Sequence, residues 1–193
     1  MNRRLLLALI VAATLVPASV LAQATKWMID PAHSSVNFEI VHMGVSHVHG
    51  AFSSVKGVVT LDDKEIAKSS VDTTIDTTTV STGMEMRDKD LKSPNFFDVE
   101  KYPSMTFKST SVTKAAGKLQ LIGDLTLNGV TKPVVLALDG PALPQTDAKG
   151  VTRSGFSASG TIKRSDFNFG ASKFNAVLGN EVKFTIDVEI DKQ

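Results

Sequence analysis

Four histidines, His33, His42, His47 and His49, fall within one 17-residue span. Imidazole is a common metal ligand and general base, so this cluster is the first place to look for chemistry. His47 and His49, two positions apart, would share one side of a strand, as metal-ligand pairs can. A zinc site takes three or four ligands at closed spacing, and the chain offers no cysteine and no H-E-x-x-H run. The spacing therefore favours turn and core histidines bonded to backbone groups, and no metal site is assigned. Ser53-Ser54-Val55-Lys56 has the S-x-x-K pattern, but that chemistry needs its serine at a helix start together with S-D-N and K-T-G partners. Neither partner is present, and the stretch reads as strand. The carboxylate pairs Asp62-Asp63 and Asp88/Asp90 suit a turn and a helix surface. No nucleophile elbow, phosphate loop or dinucleotide fingerprint occurs, so no catalytic residue and no cofactor is assigned.

The residue types that stand out are large and apolar. Met84, Met86, Leu91, Phe96, Phe97, Phe167, Phe169 and Phe174 all lie outside the regular strand patterns. Methionine adapts its shape, phenylalanine offers area without a polar handle, and ligand pockets are mostly apolar. Two readings stand equal on pattern alone: these residues surround a pocket, or they plug the ends of a barrel.

Most of them belong to one stretch, Ser81 to Phe107, which holds the good helical candidate of the chain. Thr82 and Glu85 have capping-box spacing. Met84, Arg87, Asp88 and Leu91 follow at helical spacing, and Ser93-Pro94 ends the helix and caps a further turn. Tyr102-Pro103 then returns the chain to an extended run. A helix that leaves a sheet and comes back with two phenylalanines needs an apolar place for them, and the mouth of a barrel is the simplest one.

The rest of the chain reads as strands. Val36, Phe38 and Ile40 alternate with Asn37 and Glu39. Val48 to Leu61 reads as one strand turning a corner, with Gly50 and Gly57 as the bend. Ser69 to Val80 is threonine-rich and suits a pleated surface. Met105, Phe107 and Ser109 begin the next strand. Leu119 to Leu127 and Val134 to Leu138 flank Asn128-Gly129, a hairpin turn signal. Phe156 to Ile162 and Val182 to Ile190 complete the set, with an irregular stretch, Arg164 to Gly179, between them. About eight strands, each with one apolar face, predict an all-β, extended antiparallel barrel with a short helical crossover near its mouth.

Residues 1–22 read as a secretory signal: Arg3 and Arg4, a short apolar run from Leu5 to Val16, then small residues, with cleavage after Ala22 or Ala24. The apolar run is too short for a transmembrane anchor, which takes about 20 residues. The expected mature domain is 23–193, periplasmic, and held by its core without disulfides. Its charge is nearly balanced, which gives no nucleic-acid footprint and no polybasic membrane patch.

Across nearly the whole mature chain the residues resemble the YceI family of polyisoprenoid-binding, lipocalin-like exported proteins. The likeness is carried by Trp27-x-Ile29-Asp30, His33-Ser34-x-Val36-x-Phe38, His42-x-Gly44-x-Ser46 and Gly50-x-Phe52. It continues in Arg87-Asp88, Leu91, Ser93, Phe96-Phe97-Asp98-Val99, Tyr102-Pro103 and Phe107-x-Ser109-Thr110, then Gly123-x-Leu125-Thr126 and Gly129-Val130-Thr131-Lys132-Pro133-Val134. Their joint order is specific where each fragment alone is weak. Asp90 departs from the pattern, standing where members commonly carry histidine. The resemblance implies a barrel with a long apolar channel for an isoprenoid lipid, a polyprenyl chain or an isoprenoid quinone, with transient membrane contact and a homodimer left open.

On alternation, Phe38, Ile40, Phe52, Phe107, Leu125, Leu127, Phe156, Ile162, Phe184 and Ile186 are expected to line the channel. Met84, Met86, Leu91, Phe96 and Phe97 are expected to form its gate. An exported enzyme acting on an amphipathic substrate, and a non-binding stress-related barrel with a filled interior, are the alternatives.

Overall fold

The computed structural model describes residues 24–170 and 172–193. The signal sequence expected at residues 1–22 lies outside the described residues. In chain order the strands are β1 (Thr25–Ile29), β2 (Ser35–His42), β3 (Ser46–Phe52), β4 (Val55–Leu61) and β5 (Ser70–Asp76). After the crossover helix α1 (Glu85–Lys92) come β6 (Ser104–Ala115), β7 (Lys118–Leu127), β8 (Val130–Asp139), β9 (Gln145–Thr146), β10 (Thr152–Lys163) and β11 (Leu178–Lys192).

The long strand β11 closes the sheet. One edge pairs with β10 from Lys163↔Glu181 to Arg153↔Asp191. The other edge is met by two shorter strands placed end to end, β2 along its first part and β1 along its last. β3 and β4 continue outward from β2 and β1 in the same way. Antiparallel neighbours then carry the sheet through β5, β6, β7 and β8 back to β10. With β1/β2 and β3/β4 each counted as one broken strand, the ring is an eight-stranded antiparallel barrel, and the two-residue β9 lies on an edge of β10 outside it.

The breaks have local causes. Between β1 and β2, Pro31 has no amide to give to a ladder, and Asp30 accepts from the Ala32 N–H (2.8 Å) and holds His33 Nδ1 at 2.6 Å. Ser34 Oγ accepts from the Glu189 N–H at 3.1 Å, fixing this turn against β11. The break between β3 and β4 falls at Ser53-Ser54, not at the glycines expected to bend the strand. Gly50 and Gly57 answer a different need, which is space: a Cβ on Gly57 would strike the backbone of Asp72 and Thr73, and one on Gly50 would strike the Phe38 ring. Asn128 and Gly129 do form the expected turn, with φ of 50° and 73°.

The lower barrel is solid. Trp27, Val59, Leu61, Val112 and Ile190 are buried there, Ile190 completely. Upward along β11, Val188 is still buried, whereas Ile186, Phe184 and Val182 are only half-buried although they point inward. The interior is therefore packed at one end and hollow at the other.

The turn at His33 gives one pH prediction. Hydrogen bonding and attraction to Asp30, with Glu189 nearby, raise the imidazole above its ordinary value, and the bond from His33 lowers the Asp30 carboxyl. The stabilisation from His33 is complete below the ordinary histidine pKa of about 6.5 and disappears as pH rises through the raised value. That from Asp30 is present above the ordinary carboxylate range and disappears as pH falls through the lowered value. Stability should therefore decline modestly from mildly acidic to alkaline pH. His33→Gln should flatten that slope in thermal melts recorded across the range, and an unchanged slope would count against the pair.

Candidate functional site: an apolar tunnel with a polar mouth

The hollow upper barrel encloses about 520 Å³, within the range of small-ligand sites. Alternation builds its wall. Val36, Phe38 and Ile40 face in from β2, Val71 and Ile75 from β5, and Met105 and Phe107 from β6. Leu121, Leu125 and Leu127 face in from β7, Phe156 and Ile162 from β10, and Val182, Phe184 and Ile186 from β11. The lining descends to Ile29 and Val188 and stops above the packed floor.

Three wall phenylalanines share a device. Phe38 lies beside Gly50, its direct cross-strand partner, and Phe184 beside Gly160 likewise. Phe107 lies beside Gly123 across the β6–β7 pair. A Cβ at Gly123 would sit 2.5 Å from the Phe107 ring, and one at Gly160 2.8 Å from the Phe184 ring. Each ring therefore occupies the space of a missing side chain and lies against the wall, which leaves the bore open.

The crossover roofs one side of the opening. Buried Thr77 ties its two ends, donating its hydroxyl to the Tyr102 carbonyl at 2.7 Å while its N–H reaches the Pro103 carbonyl at 3.0 Å. Ala51 and Ser81 exchange two backbone bonds, joining the crossover to β3. Asn128 Nδ2 donates to the Phe96 carbonyl at 2.6 Å, which fastens the β7–β8 turn to the roof. Phe97 meets Phe52 edge-on (5.3 Å between centroids) and Phe169 at 4.5 Å, while Phe96 stacks on Phe174 at 4.8 Å. The late loop thus supplies half of the roof through Phe169 and Phe174. The sequence pattern marked these two as conspicuous but did not assign them to the lining.

At the start of α1 the expected capping box does not form. Met84 is the N-cap and makes no side-chain cap bond. Thr82 instead donates its hydroxyl (2.5 Å) and its N–H (2.7 Å) to Asp88 Oδ1, and Arg87 Nε donates to Thr82 Oγ1 at 2.7 Å. Burial pushes the Asp88 carboxyl up, but the Thr82 bonds outweigh it and leave Asp88 below its ordinary value. Thr82 is engaged by the second residue of the Arg87-Asp88 pair, so Glu85 has no role in the cap.

The late loop is held by Arg164, only 3% exposed. Its five N–H groups all find oxygen: the carbonyls of Gly179 (3.0 Å), Phe169 (3.2 Å), Gly170 (3.1 Å) and Leu178 (3.3 Å), and Asn175 Oδ1 (2.7 Å). Every acceptor is neutral. This use of a guanidinium fork as a backbone clamp was not legible in the sequence, where Arg164 reads as one basic residue opening an irregular stretch.

The expected channel residues Phe38, Ile40, Phe52, Phe107, Leu125, Leu127, Phe156, Ile162, Phe184 and Ile186 all border this tunnel, as do Leu91, Phe96 and Phe97 of the expected gate. Met84 and Met86 do not. Both are exposed on the outer side of the helix start, because α1 turns Arg87, Asp90 and Leu91 toward the opening instead. The mouth accordingly carries a polar ring of His42, Ser46, Arg87 and Asp90. Of the other histidines, His47 is exposed and bonded to Glu39 at 2.7 Å, and His49 is exposed on the same outer face. Ser53 and Lys56 are exposed at and after the strand break. Among the described residues the histidine–carboxylate group that could hold a metal is Asp30, His33 and Glu189, where Asp30 already holds the imidazole and Arg153 Nε lies 3.2 Å from Glu189.

Residues 27–190 match the model of the YceI-like domain. Protein YceI of Escherichia coli O157:H7 is 44% identical over 171 residues, 87% of each chain. The crystal structure of Burkholderia cenocepacia BcnA superposes with a TM-score of 0.73 at 27% identity, covering 83% of this chain and 98% of that one. A polyisoprenoid binding domain from Saccharophagus degradans, implicated in plant cell wall breakdown, has the same fold, with a TM-score of 0.65 at 16% identity over 88% of this chain and 99% of that one.

Proposed function

Because this chain belongs to the YceI family, and its barrel is hollow, we propose that it is a periplasmic carrier or sequestering protein for an isoprenoid lipid, a polyprenyl chain or an isoprenoid quinone. The observation that carries the reading is the tunnel itself: about 520 Å³, predominantly apolar from Val182 down to Val188, closed below, with its polar groups gathered mainly around the mouth. A filled, non-binding barrel would have no such space. The description of the Saccharophagus domain as polyisoprenoid-binding agrees with this ligand class.

The chemistry matches. Each CH₂-sized group exposed to water costs about 0.8 kcal/mol, so a tail of roughly 40 carbons costs on the order of 30 kcal/mol to expose. Such a lipid does not cross an aqueous gap unshielded. The bilayer shields it equally well, so a useful tunnel only has to match the bilayer closely enough for exchange to stay reversible. An apolar wall whose buried charge, Arg164, is fully engaged by neutral oxygens provides that, and His42, Ser46, Arg87 and Asp90 leave a polar head group hydrated at the exit.

The test is mass spectrometry of an organic extract of the protein purified from its own cell envelope. We expect a near-stoichiometric isoprenoid. A clean extract, together with failure to take up an added polyprenol, would overturn the reading in favour of a non-binding barrel and reopen the enzyme alternative.

A further inference from the structure

Four large apolar side chains stand outside the barrel at its open end. Met43 and Val45, 62% and 84% exposed, form the tip of the β2–β3 hairpin between His42 and Ser46, which border the mouth. Met84 and Met86, 52% and 79% exposed, begin α1, whose next residues Arg87, Asp90 and Leu91 border the mouth from the crossover side. Strands and loops elsewhere leave Met28, Val135 and Leu143 exposed singly, which needs no explanation.

The hairpin tip is held in place. The Met43 N–H donates to the Val177 carbonyl at 2.7 Å and the Val45 N–H to the His42 carbonyl at 3.1 Å. Met43 adopts φ of 52°, a left-handed conformation that asparagine or glycine would adopt more readily. A bulky apolar residue is thus kept, at a conformational cost, on the outermost turn beside the opening.

We propose that Met43, Val45, Met84 and Met86 form a lip that inserts into the surface of a lipid bilayer and sets the tunnel mouth against it. The proposal rests on the isoprenoid reading of the tunnel and adds the surface from which the lipid is drawn. A bilayer suits this patch because the lipid proposed for the tunnel resides in bilayers and the patch flanks the opening through which it would pass. A chain passing from membrane to tunnel then crosses the ring of His42, Ser46, Arg87 and Asp90 and not a gap of bulk water. The flanking helix offers Glu85, Asp88 and Asp90 against Arg87, Lys89 and Lys92, a balance that predicts binding by apolar insertion and not by attraction to anionic lipid.

The test uses residues 24–193, which carry the closed barrel and its core, with phosphatidylcholine vesicles prepared with and without phosphatidylglycerol. The protein should co-sediment with both, with little effect of salt. Combined Met43→Asn, Val45→Ser, Met84→Ser and Met86→Ser should reduce that partitioning at least about tenfold, and Val45→Lys alone should reduce it in the same direction. Uptake of dispersed farnesol, read by native mass spectrometry, should be unchanged in both variants. Equal partitioning of parent and variants, or binding confined to phosphatidylglycerol and abolished by salt, would overturn the lip. Failure of the parent itself to take up farnesol would overturn the isoprenoid reading, while co-sedimentation would still decide the lip.

Discussion

Replacing Arg164 with methionine should lower stability by about 3–5 kcal/mol, because those of its five acceptors that water does not reach each lose a partner at about 1–3 kcal/mol. In a domain of this size that corresponds to a fall of roughly 10 °C in Tm. The acceptors at stake are four backbone carbonyls and the Asn175 side chain. The carbonyls belong to the loop that presents Phe169 and to the first residues of β11. Arg164→Lys should recover little, since an ammonium offers three donors from one point where the guanidinium offers five in a fixed fork. Phe169 would lose its seat against Phe97, so hydrogen exchange should quicken along residues 164–179 in both variants. A methionine variant that melts within about 2 °C of the parent would remove Arg164 from its role as clamp.

The second large effect is on cargo. Leu125 lies on β7 opposite Phe107 and faces the bore. Leu125→Asp should abolish isoprenoid retention, because a carboxylate beside Phe107 and Leu127 either stays ionised, drawing water or Lys132 opposite it on β8 toward the bore, or takes up a proton and remains polar. The fold should weaken by about 2–5 kcal/mol, the range for removing a buried leucine. Phe184→Asp separates the two effects. Its ring is only half-buried in the hollow section, so retention should fall with a smaller loss of Tm. Lipid stoichiometry by mass spectrometry and thermal melts on the same samples check both, and retention at the parent level in the folded variants would show that the cargo lies elsewhere.

Strand identity and facing were legible because alternation is a local signal: Val182, Phe184 and Ile186 announce an inward face whatever surrounds them. The Asn128-Gly129 turn was legible for the same reason. What could not be read depended on partners distant in sequence. Whether the barrel is filled depends on where Phe38, Phe107 and Phe184 put their rings, and that is decided by glycines on neighbouring strands. Gly50 read as a bend because nothing local shows that it faces Phe38. Met84 and Met86 read as a gate because methionine near an opening suits one. The rotation of α1 follows from the tie between Thr82 and Asp88, and spacing alone favoured Thr82 with Glu85.

The packed floor beneath Val188 has a kinetic corollary. A bore sealed at Trp27, Val59 and Ile190 is a cul-de-sac, so a lipid cannot enter from one neighbour and be pulled out at the far end by another. Tail-first entry and head-first departure use the same doorway. On the carrier reading, donor and acceptor would therefore visit in turn, with the loaded protein released in between. If the protein is the carrier proposed above, delivery should follow a ping-pong scheme in which an excess of either party competes with the other for the one opening.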